Sequence, residues 1–360
     1  MRILRMLTLL LVLAYPSRAV ATDATQARLN GLPGSIATHG SHCQHKSLSE
    51  RLRFASGHRA TSILGKKDEW ARQLSAFDLG IRQRTTAPTK LRKFLDFASD
   101  EALEWTPEER AAWGAVVHVL SGAMHGLGGK LPEIYLVKTT GEEEFDAAYT
   151  RQRAIMLPQS LTALAAASPR DALFLLAHEL FHVLSRNDPE LRDRTYALLG
   201  AHRFAGIALP SELEERVLSN PDAYTYEHAV TVQTPSGPVD VVPVNQVLVP
   251  LAEAIALPSV FAALDVSLVA VHVDTSEVVR DINGELVTHS FLGSTDWATL
   301  MSRNSNYIIH PEEVLADNFA TLMEWRAEGV LPVTNPFGVP INDVALLTSI
   351  EEILAGRCND

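Results

Sequence analysis

Ser168-Pro169-Arg170-Asp171-Ala172-Leu173-Phe174-Leu175-Leu176-Ala177-His178-Glu179-Leu180-Phe181-His182-Val183-Leu184-Ser185-Arg186-Asn187-Asp188-Pro189 is the stretch from which the rest of the chain is read. It opens with helix-start signals: Ser168 can cap, Pro169 suits the first helical position, and Asp171 falls where a capping-box acid would. The helix is expected to run to about Arg186. Asp188 and Pro189 then read as the cap and first residue of a second helix, to about Gly200. Ala172, Leu173, Leu175, Leu176, Leu180, Val183 and Leu184 make the first helix apolar nearly all round, as in a buried helix. Two imidazoles and a carboxylate are costly in such a place without a partner.

On a helix of ~3.6 residues per turn, His178 and His182 fall on one face and can share one metal ion. Neutral imidazole suits Zn2+. Glu179, beside the first ligand, can reach a water activated by the ion and accept its proton. The plain alternative is two hydrogen-bonded core histidines and a surface glutamate. Zinc needs a third protein ligand, and Glu313 is the best candidate. Asp317, four residues on, can orient a ligand imidazole. A solvated acidic first turn, favoured by the helix dipole, would explain Glu312 and Glu313 but not Asp317 in an apolar segment. Tyr226, His228, Tyr307 and His310 are candidate donors to a developing oxyanion. His272 and His289 are weaker ones.

Working outward, Ile134 to Val137 and Ala154 to Leu157 read as two strands preceding the helix, the second ended by Pro158. Residues from about Leu48 to Gly122 show helical spacing, as in Glu101 to Leu120, and suggest a helical lead-in. From Tyr226 to about Leu292 the chain turns Val-rich, with turns at Pro235-Ser236-Gly237 and Asn283-Gly284, so a mostly β insertion is expected. Within it, Leu251 to Leu264 is more helical. Helix returns from Pro311 to about Ala327, with Gly329 beyond its end. The expected fold class is α+β: a helix-rich core, a short sheet before the HExxH helix and the β-rich insertion. The divisions are 1–21, 22–47 as a flexible arm, 48–130 as the lead-in, 131–205 with 300–335 as the core, 225–295 as the insertion, and 336–360 as a C-terminal segment.

His178-Glu179-Leu180-Phe181-His182 together with Glu313-Val314-Leu315-Ala316-Asp317 resembles the gluzincin metallopeptidases, in which HExxH is followed on a later helix by Glu-x-x-x-Asp. The resemblance implies a zincin-like fold, Zn2+ held by His178, His182 and Glu313, Glu179 as general base and Asp317 behind a zinc histidine. It also implies that Ala154 to Leu157 is the edge strand that pairs with an extended peptide or protein substrate. It covers about Pro132 to Arg186 and Tyr307 to Ala327. A rival third ligand comes from the metzincin pattern, where Asp188 stands six residues after His182, with Ser185 in place of the turn glycine. Two other functions are consistent with the motifs: a non-catalytic zinc-binding or interaction protein, and a zinc-dependent hydrolase of a non-peptide amide or ester.

The 360 residues are 46% hydrophobic and 21% charged, an ordinary globular composition. A formal net charge of -12 and the lack of a dense Lys/Arg cluster argue against a nucleic-acid partner. Met1-Arg2-Ile3-Leu4-Arg5, the apolar run from Met6 to Tyr15 and the small triplet Ala19-Val20-Ala21 read as a secretory signal peptide cleaved after Ala21. A secreted or periplasmic protein is expected. No stable membrane span is expected, since the run is well short of about 20 residues. Cys43 and Cys358, near opposite ends of the mature chain, are candidates for one disulfide.

Overall fold

The computed structural model describes residues 47–128, 131–291 and 293–356. The expected signal peptide, the arm as far as residue 46 and both cysteines lie outside these residues. Among the described residues the chain is mixed α and β, with two small sheets beside a helical core. No described helix is long and apolar enough to cross a membrane.

The HExxH segment forms helix α6 (Pro169–Asn187), with Pro169 in its first turn. Ser168 differs from expectation: its hydroxyl donates to Asp171 (2.7 Å) rather than capping a backbone N–H. Asp188 caps α7 (Pro189–Ala197) as expected, accepting from the Leu191 N–H at 3.1 Å. Helix α9 (Pro311–Glu328) ends at Gly329, whose φ of 70° suits glycine in the left-handed region. Helices α6 and α9 lie side by side, and α5 (Pro107–Ala123) packs on both. Leu176, Leu180, Phe181 and Val183 of α6 meet Val314, Leu315, Phe319 and Leu322 of α9 in one continuous core with Trp113, Val117 and Leu120 of α5.

The lead-in is not wholly helical. Helices α1 (Gly57–Leu64), α2 (Glu69–Gln73), α3 (Ala76–Arg82) and α4 (Leu91–Asp100) are present, but Leu52–Ala55 is strand β1. It pairs in parallel with β3 (Ile134–Thr139), and β2 (Ala102–Leu103) pairs antiparallel with the same strand. Four residues carry little periodicity of their own; the neighbouring strand supplies what local propensity lacks. The helix expected from Glu101 begins instead at Pro107. Thr106 and Glu109 close a capping box there, which fixes the start by hydrogen bonding rather than by periodicity.

Strand β5 (Ala154–Pro158) is covered on one side by β3 and on the other by β4 (Tyr149–Arg151), which runs antiparallel to it. The order is β1-β3-β5-β4, so β4, not the Ala154 to Leu157 run, is the edge next to α6. Continuous apolar character marked an inner strand, buried on both faces. Tyr149-Thr150-Arg151 shows no such signal.

The β-rich segment is a six-stranded sheet that begins earlier than expected, at β6 (Ala201–Arg203). It continues through β7 (His228–Thr234), β8 (Gly237–Val247), β9 (Leu264–His272), β10 (Glu277–Val278) and β11 (Thr288–Ser290), with the β7–β8 turn at Pro235-Ser236. Leu251 to Leu264 holds only short turns of helix, at Leu251–Ala254 and Val260–Ala263. Val230, Val241, Val266 and Leu268 join the α6/α9 core, together with Trp297 and Met301 of α8 (Thr295–Met301). A final helix, α10 (Val344–Gly356), for which no sequence expectation was set, buries Leu346, Ile350 and Leu354 against α9.

Glu143, in the turn before β4, is 1% exposed, accepts from Tyr149 OH at 3.2 Å and leaves its Oε2 without a partner. Burial, aided by the charge of Glu144, pushes its carboxyl up from 4.5 to about 7. The folded state therefore favours the protonated form. This contribution is fully present below the unfolded value, declines as pH rises towards the folded one, and amounts to about 3 kcal/mol at most. Urea unfolding of wild type minus Glu143→Gln should show stability lost between pH 4.5 and 7 in wild type only. A flat difference would remove the argument.

Candidate metal centre

The i, i+4 spacing does what the helix dictates: the His178 and His182 rings face the same side of α6, their centroids 4.8 Å apart and nearly perpendicular. Opposite them lies the first turn and a half of α9, every residue of which is buried from Pro311 to Glu324. That helix is capped by His310, whose Nδ1 accepts from the Glu312 N–H at 3.0 Å. Burial lowers the His310 imidazole to about 4, so it stays neutral and keeps the lone pair that the cap needs.

Glu313 Oε2 sits 3.2 Å from His178 Nε2 and 3.7 Å from His182 Nε2. Behind each ring stands another carboxylate. Asp317 Oδ1 is 3.0 Å from His178 Nδ1, and Glu312 Oε1 is 2.9 Å from His182 Nδ1. Those carboxylates are held in turn: Ser305 donates to Asp317, while Ser185 (2.8 Å) and Tyr196 (2.7 Å) donate to Glu312. A proton on His182 Nδ1 satisfies Glu312 and leaves the Nε2 lone pair aimed at the space beside Glu313. Burial works downward on His178, but the Asp317 and Glu313 carboxylates at its two nitrogens outweigh it and raise it well above the usual imidazole range. A bound cation would take the place of its Nε2 proton. His182 Nε2 is buried there and has no hydrogen-bond partner. Such an orphan is costly in a protein interior.

His178, His182 and Glu313 each offer one ligand atom within 4.8 Å of the others, so this group could hold a metal ion. A second set, Glu179, His182 and Asp222, meets the same limit and shares His182. Burial works upward on Glu313, but hydrogen bonding from His178 and the charges of His182 and His178 outweigh it and hold the carboxyl at about 2. Burial, with the Asp222 charge adding to it, raises Glu179 to about 7. Burial and the charge of Glu313 also place Asp222 well above the usual carboxylate range. Carboxylates this crowded repel one another, and a bound cation would relieve that repulsion.

Compared with family models, curated proteins and solved structures, the chain matches none.

The structure thus brings together His178, Glu179, His182, Glu313 and Asp317. Asp188 stays a helix cap and belongs to neither ligand group among the described residues. Of the four donor candidates, only Tyr307 stacks on a motif ring: its ring lies beside His178, centroids 6.4 Å apart. Tyr226 lies among apolar side chains, His228 bonds Asp193 at 2.8 Å, and His310 is the α9 cap. His272 and His289 lie on strands β9 and β11 of the second sheet. Sequence reasoning missed Glu312, Asn220, Asp222 and Thr150. Glu312 alone carried a signal, adjacency to Glu313, and helix-dipole stabilisation explained it without a ligand role. Asn220 donates to Glu313 Oε1 at 2.6 Å, and Thr150 donates to Glu179 Oε2 at 2.8 Å.

Proposed function

We propose that this chain is an exported zinc-dependent metallopeptidase with a zincin-like fold. The observation that carries the reading is the convergence of two imidazole Nε2 atoms, one of them orphaned, on a single glutamate oxygen. Donor atoms around a tetrahedral zinc lie about 2.0–2.2 Å from it and so about 3.3–3.6 Å from each other. The 3.2 and 3.7 Å separations bracket that range. Two imidazoles and a carboxylate, with further carboxylates behind the rings, are a donor set that suits zinc and leaves a position open. Zinc bound there supplies Lewis acidity, acidifying water and polarising a scissile carbonyl.

The chain's own residues then divide the work. Glu179, raised to about 7, is poised to take a proton from the attacking water and return it to the leaving amine. Thr150 fixes which way that carboxyl faces. With an ion in place, Asp317 and Glu312 would accept from the two Nδ1 atoms and hold both rings with Nε2 towards it. Asn220 holds the far oxygen of Glu313, leaving Oε2 towards the histidines. Tyr307, beside His178, is the donor best placed to meet a developing oxyanion. The strand whose edge an extended peptide would have to reach is β4 rather than β5.

Elemental analysis of the purified protein tests the reading. One equivalent of zinc is expected in wild type and in Asp188→Ala, and less than a tenth of that in Glu313→Ala after dialysis against a mild chelator. Zinc retained by Glu313→Ala would reassign the third ligand; metal-replete wild type without zinc would end the proposal.

A further inference from the structure

The outward groups of the edge strand β4 are already taken. The Thr150 N–H donates to Asp222 Oδ1 at 2.7 Å, and its carbonyl accepts from Arg186 at 3.1 Å. The same guanidinium donates to the carbonyls of Pro221 (2.8 Å) and Asp222 (3.0 Å) and lies over the Tyr224 ring. Asp222 and the Arg186 guanidinium thus occupy the Thr150 backbone groups that an extended peptide would use, and Arg186 ties them to the loop 219–224. Asn220 of this loop touches Glu313, and the Asp222 carboxylate forms a ligand-distance group with Glu179 and His182. Asp222, Ala223 and Tyr224 of the loop also line a cavity of about 20 Å³ on the Glu312 side, with Tyr196, His228 and His310. It has room for a water and touches none of His178, Glu179, His182 and Glu313. The cavity of about 400 Å³ beside Phe145 and Val260 shares no lining residue with it.

We propose that the loop 219–224 is an in-chain occupant of the substrate cleft, with Asp222 standing where an incoming ligand must approach the ion. The arrangement described is then a latent form. This rests on His178, His182 and Glu313 being metal ligands. The two ends of the loop are held unequally. Ser219 is buried and fixed on three sides: its N–H and hydroxyl donate to Asp78 at 2.9 and 2.8 Å, and its carbonyl accepts from Arg82 at 2.7 Å. Tyr224 is partly exposed and tied by one hydrogen bond to Glu69 (3.1 Å) and by its place under Arg186. Opening by a swing from the Tyr224 end breaks the fewest buried contacts. Both end anchors come from α2 and α3 of the N-terminal lead-in, while Thr150, Arg186 and Glu313 hold the middle of the loop.

The test uses acetohydroxamate, a small chelating probe, on the zinc-loaded full chain, with calorimetry for affinity and the visible absorption of the Co2+-loaded protein for the ion's surroundings. Asp222→Ala is expected to bind the probe at least 10-fold more tightly than wild type and to change the probe-free cobalt spectrum. Tyr224→Ala, which leaves Asp222 in place, should tighten probe binding by a smaller factor. Equal affinities and identical cobalt spectra, with one equivalent of metal in all three proteins, would overturn the latent loop and leave the metal centre standing. Wild type that takes up no metal would overturn both.

Discussion

Glu179→Gln is expected to keep its full equivalent of zinc and to lose peptide cleavage by roughly 10²–10⁴-fold, the usual worth of a positioned general base. The substitution keeps a side-chain oxygen able to accept from Thr150 and preserves the volume of a residue that is 3% exposed, so folding and metal binding should survive. What it removes is a carboxylate raised to about 7 by burial and by Asp222, a value matched to exchanging protons with water near neutrality. Steady-state kinetics on a fluorogenic peptide, with metal content measured on the same samples, separates the roles. A loss of turnover with the metal intact assigns the base; unchanged kcat/KM would remove Glu179 from the chemistry. If zinc is lost as well, Glu179 belongs to the metal's surroundings rather than to proton transfer, an outcome that its grouping with His182 and Asp222 makes worth measuring.

Much of the centre was legible because helices impose their own geometry. The spacing of His178 and His182 fixes one face, that of Glu313 and Asp317 fixes another, and Pro169 and Pro311 announce where both helices start. Glu313 stands 131 positions after His182, and the facing side chains nonetheless meet. What could not be read are the groups whose position depends on tertiary pairing. Thr150 gains its place only because β4 adds antiparallel to β5, and a three-residue polar strand has no period to detect. Asn220 and Asp222 sit in an irregular loop whose course is set by Arg82, Asp78 and Arg186, residues from two distant helices. Strand β1 was hidden for a similar reason, since Leu52-Arg53-Phe54-Ala55 pairs with residues more than eighty positions away. The β5 reading failed instructively: a continuous apolar run marks burial on both faces, and an edge strand next to a polar cleft is the element least able to show one.

Arg82→Met should destabilise the fold by about 3–5 kcal/mol, the cost of leaving buried charge without its partner. Arg82 is 1% exposed, and its guanidinium is shared among Asp78 (2.6 Å), both oxygens of Glu144 (2.6 and 2.8 Å) and the Ser219 carbonyl (2.7 Å). Burial works against its charge, but Glu144 and Asp78 more than restore it. Methionine fills much of the stem's volume, yet removes the guanidinium that lies over the Trp70 and Phe145 rings and leaves two carboxylates and a carbonyl unanswered. Replacing the whole ion group by apolar residues can be neutral elsewhere. Here it would also strip Asp78 from the Ser219 N–H and hydroxyl, so the loop root loses its fixation either way. Arg82→Lys should fall between, because a compact ammonium cannot serve four acceptors spread around a planar fork. Urea unfolding reads both: the midpoint should fall with little change in slope, and a shift worth under 1 kcal/mol in Arg82→Met would show the network to be dispensable. In Arg82→Lys that still folds, the loosened root should make the metal more accessible to acetohydroxamate, in the same direction as Tyr224→Ala. In the proposed latent form, stability of the lead-in and closure by the loop are two readings of one buried guanidinium.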